Sequence, residues 1–296
     1  MRARHLIGIL AAGLLLAAAP AARTTEELWR AGIAEANIAW AKAPHAILKI
    51  QDAAYLGEGQ SATLVGTQGK PASYKWVPGK VQDGILTATY RGGHMSAAFH
   101  GKTLDEATLQ KPVAIDADID LQGFATQVGA GVMGVRIMLY NQLRADAREF
   151  TGVDYFPYDL SYRVTASFKP DPKLPPVSFL TSRGTHKQFF HAGDATFTLK
   201  GKTFTLPFYA GDNDPRKIAD ASAFFTDDQA GGVTYPAGRY VDIAGFGPFP
   251  PKTVTIDFND AYNPNCARSP FYTCPVATDT IALAVKAGEK DPHKAH

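Results

Sequence analysis

From residue 45 onward, apolar side chains recur at every second position in short runs broken by glycine. That period belongs to strands with one face buried, and it excludes a helical bundle. Ile47–Ile50, Ser61–Val65 and Ile85–Tyr90 read as strands, and residues 112–120 alternate around Val113, Ile115 and Ile119. Val132–Tyr140 is the most apolar run and is expected at the centre of a sheet. Further strands follow from Tyr162. The alternating pair Ala195–Leu199 and Thr203–Phe208 flanks Lys200-Gly201-Lys202, a hairpin turn. Ile281–Val285 reads as the closing strand. The 27 glycines and 20 prolines supply turns. No helical pattern of adequate length separates the strands, so a doubly wound sheet is excluded. The expected fold is all-β: a small β-sandwich over 45–140, then an antiparallel barrel-like β domain over 150–289. Phe179, Phe197, Phe204, Phe224 and Phe258 are expected inside it, filling the barrel or lining a pocket.

Residues 24–43 are the exception. Thr24 or Thr25 caps a helix, Glu26 and Glu27 sit in its first turn, and Pro44 ends it. Before it, Arg2 and Arg4 precede an apolar run from Leu6 to Ala19 and the small residues Ala19-Pro20-Ala21. That order marks residues 1–21 as a signal peptide, cleaved after Ala21. The run is shorter than the roughly 20 residues that span a bilayer. The expected location is the periplasm or outside the cell, with no stable membrane span after the leader is removed. The chain has 30 basic and 28 acidic side chains, and the leader carries two of the former, Arg2 and Arg4, and none of the latter. The mature protein is therefore neutral, and a neutral surface gives little attraction to nucleic acid.

Cys266 and Cys274 are the two cysteines. In an oxidising compartment this close pair is expected to form a disulfide that pins loop 263–275. Asp257 and Asn259 are expected on one strand face with Phe258 turned to the core; with Asn263 they either bind a ligand or satisfy the backbone of the cysteine loop. Arg239 needs a carboxylate if buried, and Asp227, Asp242 or Asp257 could supply it. The alternative is a clamp for an anion, and Arg163 poses the same choice. Asp116, Asp118 and Asp120 alternate and could share one face, solvated or around calcium, but lack the EF-hand pattern. No metal, cofactor or phosphate-loop motif is present in the sequence. Arg163, Asp227, Arg239, Asp257, Asn259 and Asn263 are thus the candidate ligand-binding residues.

Residues 234–289 resemble the DUF1684 family of uncharacterised bacterial and archaeal proteins. The match runs through Thr234-Tyr235, Gly238-Arg239-Tyr240, Asp257-Phe258-Asn259, Ala261-Tyr262-Asn263-Pro264, Cys266-Ala267, Thr273-Cys274-Pro275 and Ala287-Gly288-Glu289. Phe150, Gly152, Phe156-Pro157 and Tyr162-Arg163-Val164 also fit. Asn265 stands where the family more often has a second proline. Leu139-Tyr140 stands where it often carries an acid. The resemblance implies no activity. For the first part it implies a small β-sandwich of the forkhead-associated type, although the Arg-Ser-His constellation for phosphothreonine is lacking over 45–140. The expected function is a periplasmic ligand-binding or scaffold protein whose partner is an unknown small molecule or protein. The alternative is a hydrolase-like enzyme with its polar site around Arg239, Asp257 and Asn259.

Overall fold

The computed structural model describes residues 24–245 and 250–294; the expected leader lies outside them. The fold is mostly β, with one N-terminal helix of more than two turns. That helix, α1 (Thr25–Asn37), starts at a capping box in which Thr24 accepts from Glu27 N and Glu27 bonds back to Thr24 N. It runs into a wider turn over Ile38–Lys42 that buries Trp40 and Ala41. Residues Ile47–Lys49, expected as strand, instead form a short 3-10 turn; the strand begins at Ile50.

Two sheets make a sandwich. The first has the order β3 (Lys70–Pro78), β2 (Ser61–Thr67), β4 (Leu86–Arg91), β5 (His94–Phe99) and β6 (Lys102–Leu104). A helical turn, α2 (Glu106–Leu109), follows β6. The second sheet has the order β1 (Ile50–Leu56), β9 (Val132–Asn141), β8 (Ile119–Gly129) and β7 (Val113–Asp116). The apolar strand β9 is indeed interior, paired on both sides and contributing Val135, Ile137 and Leu139 to the core between the sheets. The strand period explains this: alternate residues of β9 point inward.

After a helical turn, α3 (Ala145–Arg148), a larger sheet begins. Its order is β15 (Arg239–Ala244), β14 (Asp220–Asp227), β13 (Lys202–Ala210), β12 (His186–Leu199), β10 (Arg163–Pro170) and β16 (Thr253–Asp257). The end strands β15 and β16 approach within 8 Å between Cα atoms, so the sheet is nearly closed into a barrel. Strand β11 (Pro176–Leu180) adds to β12, and β17 (Asp279–Ile281) pairs in parallel with β14. The closing strand is thus shorter and earlier than the expected Ile281–Val285. Lys200 and Gly201, both at positive φ, make the two-residue turn of the β12–β13 hairpin.

The barrel interior holds Phe168, Phe197, Phe208, Phe225 and Phe258, with Phe204 packed on it. Phe179 and Phe224 correct the expectation for the interior. They lie on the outer face with Tyr209 and Tyr240, in a second aromatic layer. Phe224 and Phe225 are neighbours on a strand, so only one of them can face the barrel axis.

Strand β12 bends at Gly193, where its pairing with β13 shifts register. Gly193 has φ 147°, and a Cβ there would sit 2.4 Å from the Lys169 carbonyl oxygen. Gly193→Ala is expected to lower stability by about 1–3 kcal/mol, read as a fall in the urea midpoint at unchanged slope.

Candidate functional site

Strand β15 is preceded by Gly238, whose positive φ and lack of Cβ let the chain pass against Ala277 and the Phe225 carbonyl. The next residue, Arg239, points into the protein and is 1% exposed. Its Nη2 donates to Asp227 Oδ2 at 2.6 Å and to Val285 O at 3.1 Å. Its Nη1 donates to Ala287 O at 2.5 Å and Glu289 O at 3.2 Å. Asp227 also accepts from Thr234 Oγ1 and Gln229 N. Burial pulls the guanidinium's pKa down and Asp227 opposes it. Both side chains are enclosed and hydrogen-bonded to protein, so they tie the C-terminal segment to the barrel.

Asp257 and Asn259 do not share a strand face as expected, because β16 ends at Asp257 and Phe258–Asp260 form a 3-10 turn. Asp257 Oδ1 accepts from Asn259 N and Nδ2, and its Oδ2 meets Arg163 Nε at 3.4 Å. Asn259 is buried, and its carboxamide bonds both backbone groups of Asp159. Its backbone carbonyl accepts from the Trp29 indole N–H, which docks α1. Asp257 and Arg163 line a small cavity beside α1, whereas Arg239 is not among its walls. The structure therefore does not bring Arg239, Asp257 and Asn259 to one open pocket. The three alternating aspartates also separate: Asp116 accepts from Tyr74 and Gly69, while Asp120 faces His45.

Asn263 stands apart from the other candidates. Its backbone N–H donates to Glu289 Oε2 at 2.8 Å, and its Nδ2 donates to Lys290 O at 2.7 Å. Its Oδ1 is buried and has no partner. Glu289 is itself buried, with Arg268 Nη2 at 2.9 Å from Oε1. Burial raises its pKa, with Arg268 opposing. Gly288, at positive φ, allows Glu289 to approach: a Cβ there would meet Ala261 O at 2.5 Å. Arg268 lies over the Trp40 and Phe150 rings. Asn263 and Glu289 line a cavity of about 200 Å³ whose remaining walls include Trp40, Ile47, Tyr155 and Tyr262. Arg268, Tyr155 and Trp40 were not singled out as site residues from the sequence. The one signal is Glu289, the last residue of the Ala287-Gly288-Glu289 match.

Cys266 and Cys274 correct the disulfide expectation. They are free thiols 3.6 Å apart, beyond the ~2.05 Å of a disulfide bond. The Cys266 N–H donates to Cys274 Sγ at 3.3 Å. The neighbouring Cys274, with Ser182 and Tyr235, holds the Cys266 thiol below its usual range, while Cys266 and burial push the Cys274 thiol up.

An all-β protein with a nearly closed C-terminal sheet, and a polar cavity beside it, is the class that this geometry defines. Residues 148–290 match the model of DUF1684, described as a protein of unknown function. A similar solved structure is the solution NMR structure of an uncharacterized protein from Haloarcula marismortui. It is 27% identical, covers 50% of this chain and 80% of its own, and superposes with a TM-score of 0.41. No curated protein matches the chain. Among the described residues, no helix is long and apolar enough to cross a membrane.

Three outcomes test these assignments. Asp227→Asn leaves Arg239 charged and unpaired in the interior, with an expected cost of about 3–5 kcal/mol in urea unfolding. Asp257→Asn meets the half-exposed Arg163 and is expected to cost about 1 kcal/mol or less. Iodoacetamide applied to the native protein is expected to alkylate Cys266 before Cys274. Because the Cys266 thiolate forms at lower pH, its rate should level off at a pH below that of an ordinary thiol.

Proposed function

We propose that this is an exported ligand-binding protein, working in the periplasm or as a secreted protein, with its ligand in the cavity between α1 and the 263–275 loop. The reading rests on Asn263. Because Nδ2 is committed to the Lys290 carbonyl, the amide orientation is fixed, and Oδ1 is left as a buried acceptor beside a cavity. A buried polar atom without a partner costs about 1–3 kcal/mol, which a donor on a bound molecule would recover. The apolar walls Trp40 and Ile47 add a surface for the carbon skeleton of such a molecule. The ligand class is a small, mostly apolar molecule that offers one N–H or O–H. Export is supported by the basic start, apolar run and small residues of 1–21.

Native mass spectrometry of the full chain purified from its own periplasm or medium tests both parts. A retained small molecule in the wild type, lost in Asn263→Ala and in the cavity-filling Ala36→Leu, is the expected result. The second variant keeps every Asn263 hydrogen bond, so it separates ligand loss from misfolding. Repeated absence of any bound molecule would overturn ligand binding. Full-length protein found in the cytosol with an intact N-terminus would overturn export.

A further inference from the structure

The cavity at Asn263 is polarised. Its helical wall is made by Ala36, Ala39 and Trp40, which stand at i, i+3 and i+4 and so share one face. They lie where α1 passes into a π-helical turn, closed by the Ala43 N–H on Ile38 O at 2.9 Å. Such turns are rare and concentrate at functional sites. Two alanines beside one large ring leave open space next to the indole. From the other side come Tyr155 and Glu289. They are directly opposed in an antiparallel bridge, so their side chains project the same way. Two aromatic residues, a carboxylate and the unpartnered Asn263 Oδ1 thus border one space.

The sign of the charge follows from the walls. Glu289 is the one charged side chain among those described. Its partner Arg268 lies over the Trp40 and Phe150 rings and is not a wall residue. Beyond the walls, acids still lead. Burial pushes the Tyr155 phenol up, Glu289 and Asp260 add to that, and Arg268 opposes it. Asp260 in turn feels Asp257 and Arg163. Three carboxylates therefore stand against two guanidiniums around this end of the cavity. An anion would meet a carboxylate and a carbonyl oxygen there, both acceptors. A cation meets the same two groups and the electron-rich ring faces.

We propose that the ligand of this cavity is a small alkylammonium ion that keeps an N–H, such as a protonated tertiary amine. This rests on the ligand-binding reading above and narrows it from one N–H or O–H donor to a charged one. The N–H donates to Asn263 Oδ1, a charge-assisted bond stronger than a neutral one. The alkyl groups, which carry the spread positive charge, lie against Trp40 and Tyr155. Glu289 supplies the countercharge. At about 200 Å³ the cavity is below the roughly 300–1,000 Å³ of sites for drug-sized molecules, so it suits a compact head group.

The test is calorimetric titration of the full chain at neutral pH with three probes of similar size. Trimethylammonium has the charge and one N–H, tetramethylammonium the charge alone, and tert-butanol a neutral donor alone. Trimethylammonium is expected to bind saturably and about tenfold or more tighter than either of the others. Glu289→Gln is expected to weaken trimethylammonium about tenfold and to leave tert-butanol unchanged, so the alcohol reports that the cavity is intact. The three-probe comparison needs no variant and decides the matter even if Glu289→Gln does not fold. Tert-butanol binding as tightly as trimethylammonium would overturn the ammonium assignment while leaving a ligand cavity in place. Tetramethylammonium binding as tightly would overturn it by removing the N–H to Asn263. No saturable binding by any probe would also overturn it, and a molecule retained in native mass spectrometry would then belong to another class.

Discussion

A single buried guanidinium organises the C-terminal half. Arg239 is desolvated, and the structure compensates it with Asp227 and with the carbonyls of Val285, Ala287 and Glu289. A buried ion pair gives little net stability by itself, because desolvation offsets the Coulomb gain. What it supplies is position. The three carbonyls belong to alternate residues of a segment that lies in no strand over 282–289 and has a single isolated β-bridge, from Glu289 to Tyr155. Without Arg239 that segment would leave backbone acceptors unmet in the interior. The arginine therefore substitutes for a missing strand.

The cavity at Asn263 depends on that placement. Glu289 is held twice: its carbonyl by Arg239, and its carboxylate by Arg268 and the Asn263 N–H. Arg268 in turn stacks on Trp40, so the turn after α1 is fixed against the same loop. Order thus passes from the interior ion pair, through one glutamate, to the walls of the cavity.

Much of the architecture is readable before any coordinates. The all-β fold, the single long helix, the interior position of Val132–Tyr140 and the Lys200-Gly201 hairpin follow from period and turn chemistry, both local properties. What escapes is non-local. Ile47–Lys49 have strand-like apolar character, yet the chain is turning there out of the helix. Phe224 and Phe225 look equivalent until the sheet closes and gives one face to the barrel. The site is legible in the same uneven way. Asn263 and an ion pair for Arg239 can be proposed from residue chemistry, because a buried arginine requires an acid. The role of Glu289 cannot, since it arises only when Gly288 lets the chain close against Ala261. The cysteine pair shows the limit of compartment reasoning: sequence proximity brings the sulfurs together, but they stay free thiols 3.6 Å apart.

The division of labour between the two halves bears on any binding role. Residues 148–290 supply the polar wall, Asn263 and Glu289, whereas Trp40 and Ile47 come from outside them. The N-terminal sandwich also grips the loop that carries the cysteines. Tyr55 donates to Phe271 O, Arg136 lies 4.7 Å from the Tyr272 ring centre, and Gln127 exchanges two hydrogen bonds with the Gln188 backbone. Such seams are where small molecules commonly bind, because two independently folded surfaces rarely close without leaving space. A relative that kept the family region but lacked α1 would present Asn263 to solvent. Its carboxamide oxygen would then find water, and the reason for a ligand there would disappear.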